Sequence, residues 1–245
     1  MDEWLQRYRA DGHATVAGLF TAAEMDAVAT EIEAWADAHI AATPAAERAK
    51  FLDVTDDGSA RPRWIDHPVR HCTGVGRLAR DPRLVDVVTA IIGPDVDIYF
   101  SQVFFKPPNG GSPKPAHQDD FYAGVNNREG LVTAWIALDE ASEDNGCLYF
   151  ADGTHLAETL PHFAPKGRPF DLQIAADIVA KYPLSAAPVP KGGVSFHHVG
   201  VLHQSSANRS ARWRRAAAVT YVTRDTYFAN PGLDNYDRDL RIAVT

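Results

Sequence analysis

Between Thr21 and Ala42 the apolar side chains fall at Met25, Val28, Ala29, Ile32, Trp35 and Ala36, the three-and-four spacing of one helix face. The segment opens on a T-x-x-E capping box, Thr21 to Glu24, in which a hydroxyl and a carboxylate satisfy the first free amides of a helix. DPRLVDVVTAIIGP repeats the pattern, starting at an N-cap aspartate, Asp81, and stopping at Gly93-Pro94. Between the two helices, residues 43–80 read as a long irregular segment rich in Ala, Arg, Asp and Pro, with DGSARPRW its most loop-like part. Long loops inside compact domains are frequently functional.

Beyond residue 94 the period changes. DIYFSQVFF (97–105), LVTAWIALD (131–139), GCLYFA (146–151), GVSFHHV (193–199) and AAAVTYVT (216–223) have the length and the β-branched and aromatic content of strands. Helices first and strands afterwards predict a mainly β fold with flanking helices. A jelly roll is the natural architecture, because it accommodates many short strands without long exposed edges. We read residues 1–245 as a single domain, with a helical part over 1–93 and a β core over 94–228.

Composition narrows the partners. An apolar fraction of 45% and five tryptophans supply a sizeable interior. The formal net charge of −8, with no basic run, excludes the electrostatic footprint of a nucleic-acid or anionic-membrane binder. The two cysteines, Cys72 and Cys147, lie far apart and form neither a disulfide framework nor a CxxC zinc site. The opening MDEWLQRYRADG has no apolar leader stretch, and no run of 18 apolar residues follows. The expectation is a cytoplasmic protein, a monomer or small homo-oligomer, whose partner is a small molecule.

Candidate chemistry concentrates in PKPAHQDDFYAG, residues 113–124. Three readings compete: a solvated acidic turn, a hydrogen-bonded structural histidine, or half of a metal site. In an extended chain, alternation puts His117 and Asp119 on one face and Gln118 with Asp120 on the other. A 2-His-1-carboxylate site then needs one more histidine and leaves coordination positions open. His203 follows the strand-like VSFHHVGVL, and Arg214 stands eleven residues later at the entry to another strand. A guanidinium at the mouth of an apolar strand is best satisfied by a carboxylate. Metal face and arginine together describe a site for a small keto acid. Asp120 reads as a rim or loop carboxylate, and one of His197 and His198 as a hydrogen-bonded interior histidine. His155 reads as a turn organiser, and Arg212 and Arg215 as rivals of Arg214. Arg63 and Trp64 belong either to the pocket mouth or to the anchoring of their loop.

Four stretches give these residues a family likeness: YRADGHATVAGLFTAAEMDAV (8–28), FFKPPNGGSPKPAHQDD (104–120), TAWIALDEASEDNGCLYFADGTH (133–155) and VSFHHVGVLHQSSANRSARWRRA (194–216). Together they resemble the phytanoyl-CoA dioxygenase family of Fe(II)- and 2-oxoglutarate-dependent oxygenases. That resemblance implies a double-stranded β-helix, a cupin-like jelly roll, with His117, Asp119 and His203 as iron ligands. It also implies that Arg214 holds the distal carboxylate of 2-oxoglutarate and that Ser205, Trp135 and Gln102 line the cosubstrate pocket. The intact carboxylate at Asp119 favours O2-dependent hydroxylase-type chemistry over halogenation, since halogenating relatives place Gly or Ala there. The implied activity is oxidation of a C–H bond of a small polar molecule, such as an amino acid or natural-product intermediate. Substrate contacts are expected from loops 51–75, 107–114, 121–130 and 156–190. A cupin-like zinc or manganese hydrolase or isomerase would have no use for Arg214, and a non-catalytic binding domain none for the whole set.

Overall fold

The computed structural model describes residues 2–166, 172–228 and 241–244. Residues 167–171, within the 156–190 loop expected to meet substrate, lie outside the described residues, as do 229–240. The architecture is two antiparallel sheets with helices packed on one of them. In the large sheet, strands His13–Val16, Val194–His198, Leu131–Ala137, Arg214–Thr223 and Val96–Lys106 lie side by side. Trp64–Asp66 and Ile242–Ala243 both pair with the 96–106 strand at its far edge. The small sheet runs Ser185–Ala187, Leu148–Phe150, His203–Ser205 and Lys114–His117.

The period-2 pattern of the central strand organises the layers. Val132, Ala134 and Ile136 point to a core shared with Met25, Val28 and Ile32 of the helix Ala22–Ala42 and Leu84 of the helix Pro82–Ile92. The alternate residues Leu131, Thr133 and Trp135 line the space between the sheets. Every residue of the strand is buried, because one face meets helices and the other meets the small sheet. The capping box is formed as expected: the Glu24 amide donates to Thr21 Oγ1 (3.2 Å) and the Thr21 amide to Glu24 Oε2 (2.7 Å). Asp81 caps the later helix through the Arg83 amide (3.0 Å). Both cysteines are buried and free. Among the described residues no helix is long and apolar enough to cross a membrane.

The segment 43–80 is more ordered than its composition suggests. Leu52–Val54 pairs with Ala60–Pro62 as a hairpin, Trp64–Asp66 extends the large sheet, and Pro68–His71 and Thr73–Leu78 form short helices. Strands of three residues are too short to display a period, so tertiary pairing rather than pattern defines them. The helix Glu3–Asp11 and the strand after it are likewise absent from the pattern-based reading; Gly12, at φ 84°, makes the left-handed turn between them.

Ile136 is wholly enclosed where the helices meet the large sheet, whereas Val54 is 71% exposed. Ile136→Ala is expected to cost about 2–5 kcal/mol in chemical denaturation, with Val54→Ala close to silent.

Candidate active site

His117 ends its strand directly opposite His203 on the neighbouring strand. This antiparallel pairing brings the two imidazoles to a 4.2 Å centroid separation. Each ring is oriented by its own backbone: Nδ1–H of His117 donates to the Pro115 carbonyl (2.8 Å), and Nδ1–H of His203 to that of Val201 (3.0 Å). The arrangement leaves both Nε2 atoms as lone-pair donors, as metal ligation requires. Burial keeps both rings neutral, depressing His117 well below its ordinary range and His203 to about 4.

Asp119 arrives by a different route from the one alternation suggests. Gln118 is extended (φ −125°, ψ 133°), but Asp119 is already the first residue of the short helix Asp119–Ala123. One extended residue followed by a helical turn still returns the carboxylate to the histidines: Oδ1 lies 3.6 Å from His117 Nε2 and 3.9 Å from His203 Nε2. The three residues offer ligand atoms all within 4.8 Å of one another. Oδ2 is held from behind by the Thr133 hydroxyl and by His197 Nε2–H, each at 3.3 Å. Burial opposes charge on this carboxyl, yet the hydrogen bond from His197 prevails and holds it well below the usual carboxylate range. A neutral pair of Nε2 donors and an ionised oxygen on one side of a point is a donor set suited to a divalent iron.

Gln118, between the ligands, is fully buried and ties three segments together. Its Nε2 donates to the Gly200 carbonyl (2.6 Å), its Oε1 accepts from the Leu160 amide (2.7 Å), and its own amide donates to His162 Nε2 (2.9 Å). Asp120 points elsewhere: it accepts from the Thr159 hydroxyl and meets Arg128 Nε at 3.2 Å. It is a paired structural carboxylate rather than a solvated rim. His197 and His198 are both buried, and it is His197 that stands against Asp119. His198 faces the other side, accepting from the Gly200 amide at Nδ1 and meeting Glu129 at 3.3 Å. His155 packs beneath Gly12 and reaches the Arg9 carbonyl.

A cavity of about 450 Å³ opens from the His/Asp/His cluster, between the sheets, and holds Arg214, Ser205, Trp135 and Gln102 in its walls. The Arg214 guanidinium is buried, lies 5.3 Å from the Trp135 ring, and has no ion-pair partner among the described residues; its Nε is enclosed without a hydrogen bond. Burial depresses it to about 9. The rivals are already engaged: Arg215 with Asp139 (2.7 Å) and Glu33 (2.8 Å), Arg212 with Glu140 and Asp144 at the surface. A buried guanidinium with no protein carboxylate paired to it among the described residues is suited to a carboxylate ligand. Gln102 is turned toward Asp66, to which its Nε2 donates (2.8 Å). Arg63 and Trp64 also line the cavity.

Sequence reasoning missed Lys106, Thr133 and Asp66. Lys106 is buried in the same wall and donates to the Ser206 carbonyl; burial, then the charge of Arg214, depresses it well below the ordinary lysine range. Its signal was available, since residues 102, 104 and 106 share one strand face with Gln102.

The metal assignment predicts that His117→Ala, Asp119→Ala and His203→Ala each abolish stoichiometric Fe(II) binding while circular dichroism stays native. Asp120→Asn should retain the iron, as read by elemental analysis.

Comparison with known proteins agrees with this geometry. The family model for phytanoyl-CoA dioxygenase matches residues 8–216. A probable alpha-ketoglutarate-dependent hypophosphite dioxygenase of Stutzerimonas stutzeri is 25% identical over 233 residues, covering 92% of this chain and 79% of the relative. The peroxisomal phytanoyl-CoA dioxygenase of Homo sapiens is 29% identical over 154 residues, 60% of this chain and 45% of its own length, so the match spans under half of that relative. Among solved structures, the non-heme monooxygenase ThoJ superposes with a TM-score of 0.77 at 24% identity, covering 99% of this chain and 83% of that one. The alpha-ketoglutarate-dependent carbocyclase SnoK gives 0.76 at 22% identity, covering 100% and 96%. These likenesses establish the jelly-roll fold. With the family model matched over most of its length, the chain belongs to the phytanoyl-CoA dioxygenase family of iron- and 2-oxoglutarate-dependent dioxygenases.

Proposed function

We propose that the protein oxidises a C–H bond of a small polar molecule, by hydroxylation or a related oxidative step, with 2-oxoglutarate as cosubstrate. The observation that carries this reading is the buried Arg214, without a protein carboxylate partner among the described residues, in the same cavity as His117, Asp119 and His203. The hypophosphite dioxygenase among the similar proteins supports a small substrate, as does the cavity volume of about 450 Å³.

Each role follows from placement. His117 and His203 would hold the iron through Nε2 and Asp119 through Oδ1, all three on the wall of the cavity. Bound there, the iron would supply the oxidising chemistry that 2-oxoglutarate and O2 feed, with succinate and CO2 as coproducts. Thr133 and His197 fix the unused oxygen of Asp119, which keeps that residue a one-oxygen ligand. Arg214 receives the distal carboxylate of the cosubstrate, the Ser205 hydroxyl adds a donor, and the Trp135 ring supports the guanidinium through its face. The walls of both sheets exclude water from the reacting centre. A zinc or manganese hydrolase built on the same three ligands would leave Arg214 unexplained.

Arg214→Gln is therefore expected to raise the 2-oxoglutarate requirement by about a hundredfold or more while Fe(II) binding is unchanged, because a buried charge-assisted pair is lost. Succinate release measured against 2-oxoglutarate concentration checks this. Absence of 2-oxoglutarate-dependent succinate from the Fe(II)-loaded wild type would overturn the reading.

A further inference from the structure

At the cavity end formed by the edge of the large sheet, two strands lay out a small recognition surface. Asp66 stands opposite Gln102, and Trp64 opposite Phe104, in the register of the 64–66 and 96–106 strands. Because side chains two apart share a face, Trp64 and Asp66 from one strand and Phe100, Gln102 and Phe104 from the other all line the cavity. Asp66 is half-buried, and its hydrogen-bond partner among the described residues is Gln102, which donates Nε2–H to Oδ1. That bond fixes the amide orientation: one N–H of Gln102 Nε2 is committed to Asp66, and Oε1 is left as an acceptor. Asp66 Oδ2 is likewise an acceptor carrying no hydrogen bond among the described residues.

Two acceptor oxygens on adjacent side chains, Asp66 Oδ2 and Gln102 Oε1, favour a group with several donors to give. A hydroxyl brings one O–H, and a carboxylate brings none and repels Asp66. A protonated amine brings three N–H donors and a positive charge. The aromatic side chains around the pair suit the same group, since ring faces attract a cation. Lys50 approaches the same mouth but does not fill this role, because its ammonium is directed to Glu47 (3.5 Å) and lies over the Phe51 ring (4.8 Å). Burial pushes the Asp66 carboxyl up to about 6 against the opposing Gln102 hydrogen bond, the condition of a carboxylate that lacks a cationic neighbour in contact.

We infer that Asp66 and Gln102 form the substrate anchor and that the substrate carries a protonated primary amine. The inference rests on the oxygenase reading and adds the chemical class of the substrate to it. The ammonium binds Asp66 Oδ2 and Gln102 Oε1 between aromatic walls, leaving the rest of the molecule to extend along the cavity toward His117, Asp119 and His203.

The test uses n-butylammonium as probe, with n-butanol and butyrate as controls of the same length. The full-length chain is loaded with Zn(II), a diamagnetic stand-in for iron, and with 2-oxoglutarate, and the ¹⁵N-indole resonance of Trp64 is followed, assigned through Trp64→Phe. Butylammonium should shift that resonance saturably and bind at least about tenfold more tightly than either control. Asp66→Asn, verified as folded by circular dichroism, should remove the preference. A wild type that shows no saturable shift with butylammonium, or that binds butanol or butyrate as well, overturns the anchor without recourse to any variant; so does an Asp66→Asn protein that keeps the preference. Failure of 2-oxoglutarate to bind the same sample would mark failure of the oxygenase reading, whereas binding of 2-oxoglutarate without ammonium preference would mark failure of the anchor alone.

Discussion

Everything at the site depends on one cross-strand register, residue 117 of the small sheet facing residue 203. A slip of a single position would turn one imidazole to the opposite face, because side chains alternate along a strand. The register is reinforced from outside the pair. His203 also faces Phe150 on the other neighbouring strand, whose ring is fully buried and packs 5.8 Å from the His203 ring. The two histidines are thus placed by sheet geometry, and Asp119 joins them from a helical turn that follows immediately.

The charge distribution separates the molecule from its cavity. The chain as a whole carries a formal net charge of −8, yet Lys50, Arg63, Lys106, Lys114 and Arg214 all contribute to the cavity wall. Lys106 and Arg214 are both buried, and burial depresses the pKa of each, Lys106 further by the charge of Arg214. The net charge of the chain therefore does not describe the site.

How much of this was legible in the sequence varies with the physics involved. The helix over 22–42 was readable because its cap and its period agree, and the main strands because they are long enough to show composition. His117, Asp119, His203 and Arg214 were readable through their motif context. The preference for Arg214 over its neighbours becomes physical only in three dimensions, where Arg212 and Arg215 prove to be neutralised by acidic residues distant in the chain. Thr133, His197 and Asp66 were not legible as site residues: each acts through a partner on a different strand, and nothing local marks that pairing. The alternation argument put Asp119 beside His117, where the structure has it, through a premise that holds only as far as Gln118, since the chain turns helical directly afterwards.

Gln118 carries a mechanical consequence. A side chain that joins the Gly200 carbonyl on one side to the Leu160 amide on the other, with its own backbone amide on His162, ties residues 160–162 to the turn that carries His117 and Asp119. The segment beyond the small sheet is then no passive cover. A displacement of it is transmitted as torque to the one residue that separates two ligands, so loop sequence and ligand geometry in this chain must vary together.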